Sequence, residues 1–313
     1  MNRKNYLETL FQKHLTQTSL TATLEFRPEK IEKKPYTQRP NCILNSDKPL
    51  ISIITITYNA ERTLEDTIQS VINQTYKNIE YIIIDGGSTD GTLDIIRKYE
   101  NAIDFWLSEK DKGISDAFNK GIEQANGEII GIINADDWYE KNTIELVETF
   151  LIACPEIDIV CGRMQYWEHN HKSFVFDSNP NLLSKEMTIN HPTTFIKRKI
   201  YEKFGVFRLD FKYAMDYELL LRAFKGGATI TAIPEILANM RLDGVSDVYW
   251  KQGFAEVRKA KIIHGHSVLN AWLYYYFQLS RRYIKKFLLF LGLKKIVLFY
   301  KKRFSIIKKE QSS

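Results

Sequence analysis

Between Leu50 and Ile133 short apolar runs alternate with amphipathic segments, and this rhythm constrains the fold more than any other feature. LISIITIT, IEYIII, AIDFWLS and EIIGII are rich in β-branched and aromatic residues and read as buried strands. The first is followed by a helix carrying Leu64, Ile68, Val71 and Ile72 on one face. TLDIIRKYE is the second helix. A third shows Ile114, Ala117, Phe118, Ile122 and Ala125 and is stopped by Asn126-Gly127; a fourth is expected near Thr143 to Ile152. Strands alternating with helices of this length predict βαβ units, hence an α/β fold with a mostly parallel, Rossmann-like sheet flanked by helices.

Past residue 153 the rhythm changes. IDIVCGRMQYW and KSFVFDS, joined by EHNH, predict an antiparallel pair. A helix is expected over Met215 to Lys225, ending in Gly226-Gly227, and a strand in ATITAI. The expected organisation is an extension and linker over 1–48, with a short helix around Tyr6 to His14; an α/β domain over 49–245; and a basic amphipathic helical tail over 246–313. The cysteines, Cys42, Cys154 and Cys161, form no CxxC pair, which fits a reducing, cytoplasmic compartment. The N-terminus lacks the apolar core of a secretory signal. No uncharged apolar stretch reaches the ~18 residues that a spanning helix needs.

Charge is unevenly placed. The net charge is +6, yet His264 to Ser313 alone carries eleven Lys or Arg against Glu310, which leaves the remainder at −4. An anionic partner is therefore expected for the tail and not for the body, and no nucleic acid is expected.

In open parallel sheets ligands bind beyond the carboxyl ends of the strands. All four strand ends are polar: Thr57-Tyr58-Asn59, Asp85-Gly86-Gly87-Ser88, Ser108-Glu109-Lys110-Asp111 and Asn134-Ala135-Asp136-Asp137. One such end is an ordinary loop exit; four in succession, three with carboxylates, mark a site. The segment DGGSTDGT is neither a dinucleotide fingerprint, lacking GxGxxG spacing, nor a Walker loop, lacking the following Lys. Adjacent Asp136 and Asp137 repel each other, with no basic residue nearby in sequence until Lys141. A solvated turn is the plain reading; a divalent cation held by hard oxygen ligands is the sharper one.

Several ordered motifs identify a resemblance. ISIITITYNAERTLEDTIQSVINQTYKNIEYIIIDGGSTDGT and SEKDKGISDAFNKGIEQANGEIIGIINADDWY carry it strongly, HPTTFIKRKIYEKFGVF and AMDYELLLR less so. From about Pro49 to Leu242 the chain resembles the family 2 glycosyltransferases with the GT-A fold, which use nucleotide-diphosphate sugars. The resemblance implies that Thr57, Tyr58, Asn59 and Asp85 hold the base and ribose. It implies that of Asp136 and Asp137 one touches the ribose and one holds Mn²⁺ or Mg²⁺ on the diphosphate. Many relatives carry a further Asp where this chain has Asn134, whose amide can still donate to ribose or metal-bound water. Lys112, Asp116 and Asn119 fall in the segment that lines the donor-sugar side. His191, in HPTT, is a further candidate for the metal or diphosphate, against the plainer reading of a structural histidine.

Sugar transfer with inversion needs a base to take the acceptor hydroxyl proton. Asp216 is the candidate: on a helix it shares a face with Leu219, Leu220 and Ala223, and the match of AMDYELLLR to the family supports it. Glu218 pairs more naturally with Arg222 at i+4. The reading is an inverting, metal-dependent glycosyltransferase moving a sugar onto a lipid-linked or surface-glycan acceptor. Its rivals are a nucleotidyltransferase and an inactive nucleotide-sugar-binding membrane scaffold. In the tail, bulky apolar blocks alternate with Lys pairs at 294–295, 301–302 and 308–309. That pattern predicts a basic amphipathic helix lying on an anionic membrane surface, at the inner face of the plasma membrane, against the alternative of a helix packed on the body.

Overall fold

A computed structural model describes residues 32–33, 48–168, 171–242, 249–293, 296 and 309–311. The expected helix around Tyr6 to His14 and the Lys pairs at 294–295 and 301–302 lie outside the described residues. Four βα units come first: β1 Ile51–Thr57, α1 Leu64–Ile72, β2 Ile79–Asp85, α2 Thr92–Lys98, β3 Phe105–Ser108, α3 Ile114–Gln124, β4 Ile129–Asn134 and, after a two-residue β5 Trp138–Tyr139, α4 Thr143–Ala153. The remainder comprises β6 Ile159–Glu168, β7 His171–Phe176, β8 Phe195–Lys197, α5 Arg198–Phe204, α6 Met215–Lys225, β9 Ile230–Arg241, α7 Trp250–Ile263 and α8 Val268–Phe290.

One sheet runs in the order β3-β2-β1-β4-β8-β6-β9-β5, with β7 paired beside β6. Strands β1 to β4 are mutually parallel, with Thr57 opposite Asp85 and Ile56 opposite Asn134, so their carboxyl ends finish level. Strand β8 enters antiparallel to β4 and β6, and β6 and β7 form the expected antiparallel pair. Strand β9 is longer than ATITAI predicts, because it pairs parallel to β6 and then antiparallel to β5.

Both sheet faces are covered, which is why β1 is apolar almost throughout. Ile51 and Ile53 join Leu64, Ile68 and Val71 of α1 and Ile144, Val147 and Leu151 of α4 in one buried cluster. Ile54 faces the other way, against α3: a Cβ on Gly121 would sit 2.4 Å from its Cγ2, so glycine allows this close approach. Each isoleucine buried this way contributes roughly 1.5–3 kcal/mol.

The described residues form one compact unit, and α7 packs into it beyond the expected boundary at 245. Val257 and Ala260 are buried, Lys261 donates to the carbonyls of Ser184 and Lys185, and His264 meets the buried carboxylate of Glu218 at 2.8 Å. Among the described residues no helix is long and apolar enough to cross a membrane.

Candidate active site

The four level strand ends put their loops along one edge of the sheet. Asp85, the last residue of β2, is fully buried and ties the loop that follows. Its Oδ2 accepts from the backbone N–H of Gly87 and Ser88 and from the Ser108 hydroxyl at 3.1, 2.9 and 2.7 Å, and its Oδ1 accepts from the Ser88 hydroxyl. Asn59, at a left-handed φ of 50°, accepts from the N–H of Thr89 and donates its own N–H to the Ser88 hydroxyl. The first two loops are thus stapled together. Thr57 is buried with an unpartnered hydroxyl, whereas the Tyr58 ring stands 63% exposed.

The acidic pair closes the fourth strand. The Ala135 N–H donates to Ile56 O, and the Asp137 N–H reaches back to Asn134 O at 3.1 Å, so the chain turns sharply into β5. Thr67 holds the Asp137 carbonyl at 2.6 Å. The Asp137 carboxylate is fully buried and neither oxygen has a hydrogen bond of good geometry, although the nearby Asn134 side chain and Arg241 backbone favour its charge. Burial, and then the charge of Asp136, push its pKa well above the ordinary carboxylate range; burial also raises that of Asp136. The balancing charge comes from 105 residues away. Arg241, at the end of β9, donates to the Asp136 carbonyl at 2.5 Å, pairs with Asp66 at 2.6 Å and lies over the Trp138 ring.

An orphaned buried carboxylate beside a second one is a donor set suited to a hard cation. Among the described residues no third His, Cys, Asp or Glu joins them, and His191 is not gathered with the pair. Mg²⁺ and similar ions are commonly held by one or two carboxylates plus substrate phosphates, so the residues present fit an ion shared with a diphosphate.

Asp216 begins α6. Its Oδ1 accepts from the Tyr217 N–H at 2.7 Å, and the side chain lines a small pocket with Ile132, His191, Thr194, Phe207 and Leu220. Burial among these walls lifts its pKa from 3.8 to about 6. Ile132 lies on β4, so this pocket and the acidic turn share a strand. His191 stacks on Phe118 with centroids 5.0 Å apart, and burial lowers its pKa to about 4; it serves the pocket as a neutral wall.

The loop leading into α6 and Asp216 is fixed from two sides. Glu256 of α7 accepts from the successive N–H groups of Lys212, Tyr213 and Ala214 at 2.8 to 3.0 Å. From α3, Ser115 donates to Phe211 O, and Asn119 both donates to and accepts from the Phe207 backbone. Asn119 is therefore occupied by the scaffold. Asp116 pairs with Lys120 and accepts from the Lys112 N–H, as a residue in a first helical turn does, and Lys112 itself is exposed.

The model of glycosyl transferase family 2 matches residues 52–212. The chain belongs to that family. A Bacillus subtilis (strain 168) glycosyltransferase, TuaG, named for teichuronic acid biosynthesis, is 31% identical over 215 residues, covering 65% of this chain and 84% of its own. A PGL/p-HBAD biosynthesis glycosyltransferase of Mycobacterium bovis is 30% identical over 188 residues, covering 58% and 73%. Among solved structures, the mannosyltransferase PcManGT of Pyrobaculum calidifontis, in complex with GDP-Man and Mn²⁺, superposes with a TM-score of 0.58 at 21% identity, covering 77% of this chain and 73% of that one. Residues 1–349 of S. aureus TarS with UDP-GlcNAc give a TM-score of 0.57 at 18% identity, covering 71% and 69%. The fold of this family 2 glycosyltransferase is thus GT-A.

Proposed function

We propose that this glycosyltransferase moves a sugar, with inversion, from a nucleoside-diphosphate-sugar to a lipid-linked or cell-surface glycan acceptor, with Mn²⁺ or Mg²⁺ held at Asp136 and Asp137. The observation that carries the proposal is Asp216: a carboxylate with a pKa of about 6, in a pocket whose wall is the strand leading to the acidic turn. Such a group is ionised at neutral pH yet basic enough to take a hydroxyl proton as the oxygen attacks the anomeric carbon. The cation, when bound, supplies positive charge to the departing diphosphate. Arg241 holds the acidic turn in place, and Glu256 fixes the loop that aims Asp216. The names of the relatives, teichuronic acid and PGL/p-HBAD biosynthesis, support an acceptor of the glycan or glycolipid class.

The proposal extends to location. On α8, Leu269, Leu273, Tyr276, Phe277, Ile284 and Phe287 form an exposed stripe at helical spacing, while Ala271 and Gln278 on the other side are buried. Arg281 and Lys285 fall beside it at helical spacing, whereas Arg282 and Lys286 lie over the Trp250 ring of α7. An outward apolar stripe with flanking cations fits an anionic membrane surface, where each basic residue adds ~1 kcal/mol.

The test is a thermal-shift panel of nucleotide-sugars with Mn²⁺. A donor at about 100 times its Kd stabilises by about 2.7 kcal/mol, which moves Tm by roughly 5–10 °C. No shift with any donor would contradict the reading.

A further inference from the structure

Resting on the lipid-linked acceptor reading, we infer that Trp250, Lys251, Arg282 and Lys286 hold the phosphate of an acceptor whose lipid and sugar are joined through a phosphate or diphosphate. The site is a gathering of like charge. From Tyr249 to Leu293 the chain carries eight Lys or Arg and a single acid, Glu256. Three of the eight meet at one ring. Lys251 Nζ, from the first turn of α7, lies 5.6 Å from the Trp250 centroid. The Arg282 guanidinium and Lys286 Nζ, one turn apart on α8, each lie 5.4 Å from it. Trp250 meets Tyr283 edge-on at 5.7 Å, and Lys251 also lies 5.5 Å from that second ring.

The nearby acids are committed elsewhere. Glu256 accepts from the three N–H groups before α6, and Asp210 pairs with Arg208 and Lys259. Among the described residues Lys251 and Lys286 meet aromatic rings and no carboxylate. The indole face offsets the repulsion between Arg282 and Lys286 at i,i+4, and so keeps three positive groups turned to one spot. A cluster assembled in this way suits a multivalent oxyanion, which Lys meets as a point charge and Arg with two parallel N–H groups.

The placement selects the source of the phosphate. Arg282 and Lys286 sit on the flank of α8 that faces α7, off the outward stripe of Leu273, Phe277 and Ile284, and half-exposed Tyr283 stands between the two. The first turn of α7 also borders the catalytic loop, because Tyr249 stacks on Tyr213 with centroids 5.0 Å apart. Glu256, about 9 Å of helix rise beyond Trp250, holds the N–H of Ala214, two residues before Asp216. A lipid chain on the stripe, a phosphate at Trp250 and a sugar hydroxyl at Asp216 therefore follow the order in which a lipid-phosphate-sugar presents them. A phospholipid headgroup would use only the first two.

Co-sedimentation of the full-length protein with three phosphatidylcholine vesicles tests this: one doped with polyprenyl diphosphate, one with phosphatidylglycerol at the same total charge, and one with polyprenol. Wild type is expected to bind the first most tightly. Lys251→Ala/Lys286→Ala should weaken that binding by about 10-fold or more and bring it level with phosphatidylglycerol. Lys251→Gln/Lys286→Gln, which keeps length and removes charge, should behave alike. Arg281→Ala/Lys285→Ala takes the same charge from beside the stripe and should keep the preference. A wild type without preference for the diphosphate, a preference that survives both Lys251/Lys286 pairs, or one that Arg281→Ala/Lys285→Ala abolishes overturns the site. Melting with a nucleotide-sugar and Mn²⁺ separates this from the underlying reading. If a donor shifts the wild-type melting temperature, a missing preference overturns the phosphate site alone; if no donor does, the glycosyl-transfer reading fails with it.

Discussion

Replacing Asp216 by Asn should stabilise the fold while removing activity. The pKa of this carboxyl rises from 3.8 to about 6 on folding, so the unfolded chain holds the ionised form more comfortably. A raised carboxyl costs nothing below its unfolded pKa. The cost grows between about pH 4 and 6 and is complete above the folded value. At about 1.4 kcal/mol per unit the full cost is about 3 kcal/mol; the side chain keeps some contact with solvent, so about 1–3 kcal/mol is expected. Asn preserves the shape and the bond from the Tyr217 N–H but carries no charge to desolvate. Melting curves of both proteins should therefore separate by about 2–10 °C at pH 7.5, with the variant higher, and converge only near pH 3, below the unfolded pKa. Turnover should fall by roughly 10²- to 10⁴-fold with donor affinity near wild type. Wild-type kcat/KM should rise about tenfold per pH unit below 6 and level off above it. A variant that melts lower at pH 7.5, or keeps its turnover, would refute the reasoning.

Other outcomes follow from the same geometry. Asp136→Asn or Asp137→Asn should abolish most transfer, as should a chelator on wild type, measured by product formation; activity surviving all three would refute the metal assignment. Arg241→Ala removes the guanidinium that reaches the Asp136 carbonyl, so it should weaken donor binding in titration calorimetry by about 10-fold or more, an effect that Arg241→Lys reverses only in part. Leu273→Glu with Phe287→Glu, both on the exposed stripe of α8, should leave melting unchanged and reduce binding to anionic vesicles in sedimentation. High salt should weaken wild-type attachment, and equal binding to neutral and anionic vesicles would refute the membrane reading.

Much of this was legible in one dimension because the determinants are local. Strands β1 to β4 and helices α1 to α4 announce themselves through periodicity, and the level strand ends follow from parallel pairing. Asp216 is a candidate in the sequence because its helix carries a run that resembles the family's. The contributions that were not visible come from distance. Arg241 reaches Asp136 across 105 residues, and Glu256 caps a loop more than forty residues earlier; neither has a local pattern. Strands β5 and β8, of two and three residues, are too short for any period to register. Asp85 illustrates a different limit. Its place at a strand end could be read, but its saturation by Gly87, Ser88 and Ser108 depends on how three loops meet.

The central claim is that a sugar leaves a nucleoside diphosphate under the action of Asp216. Its most direct measurement reads nucleoside diphosphate and pyrophosphate separately, with Mn²⁺, a panel of nucleotide-sugars and a membrane extract supplying lipid-linked acceptors. Nucleoside diphosphate should accumulate with one donor, depend on the extract, and be lost in Asp216→Asn. Pyrophosphate made from a sugar 1-phosphate and a nucleoside triphosphate, with no nucleoside diphosphate from any donor, would contradict the account and identify a nucleotidyltransferase.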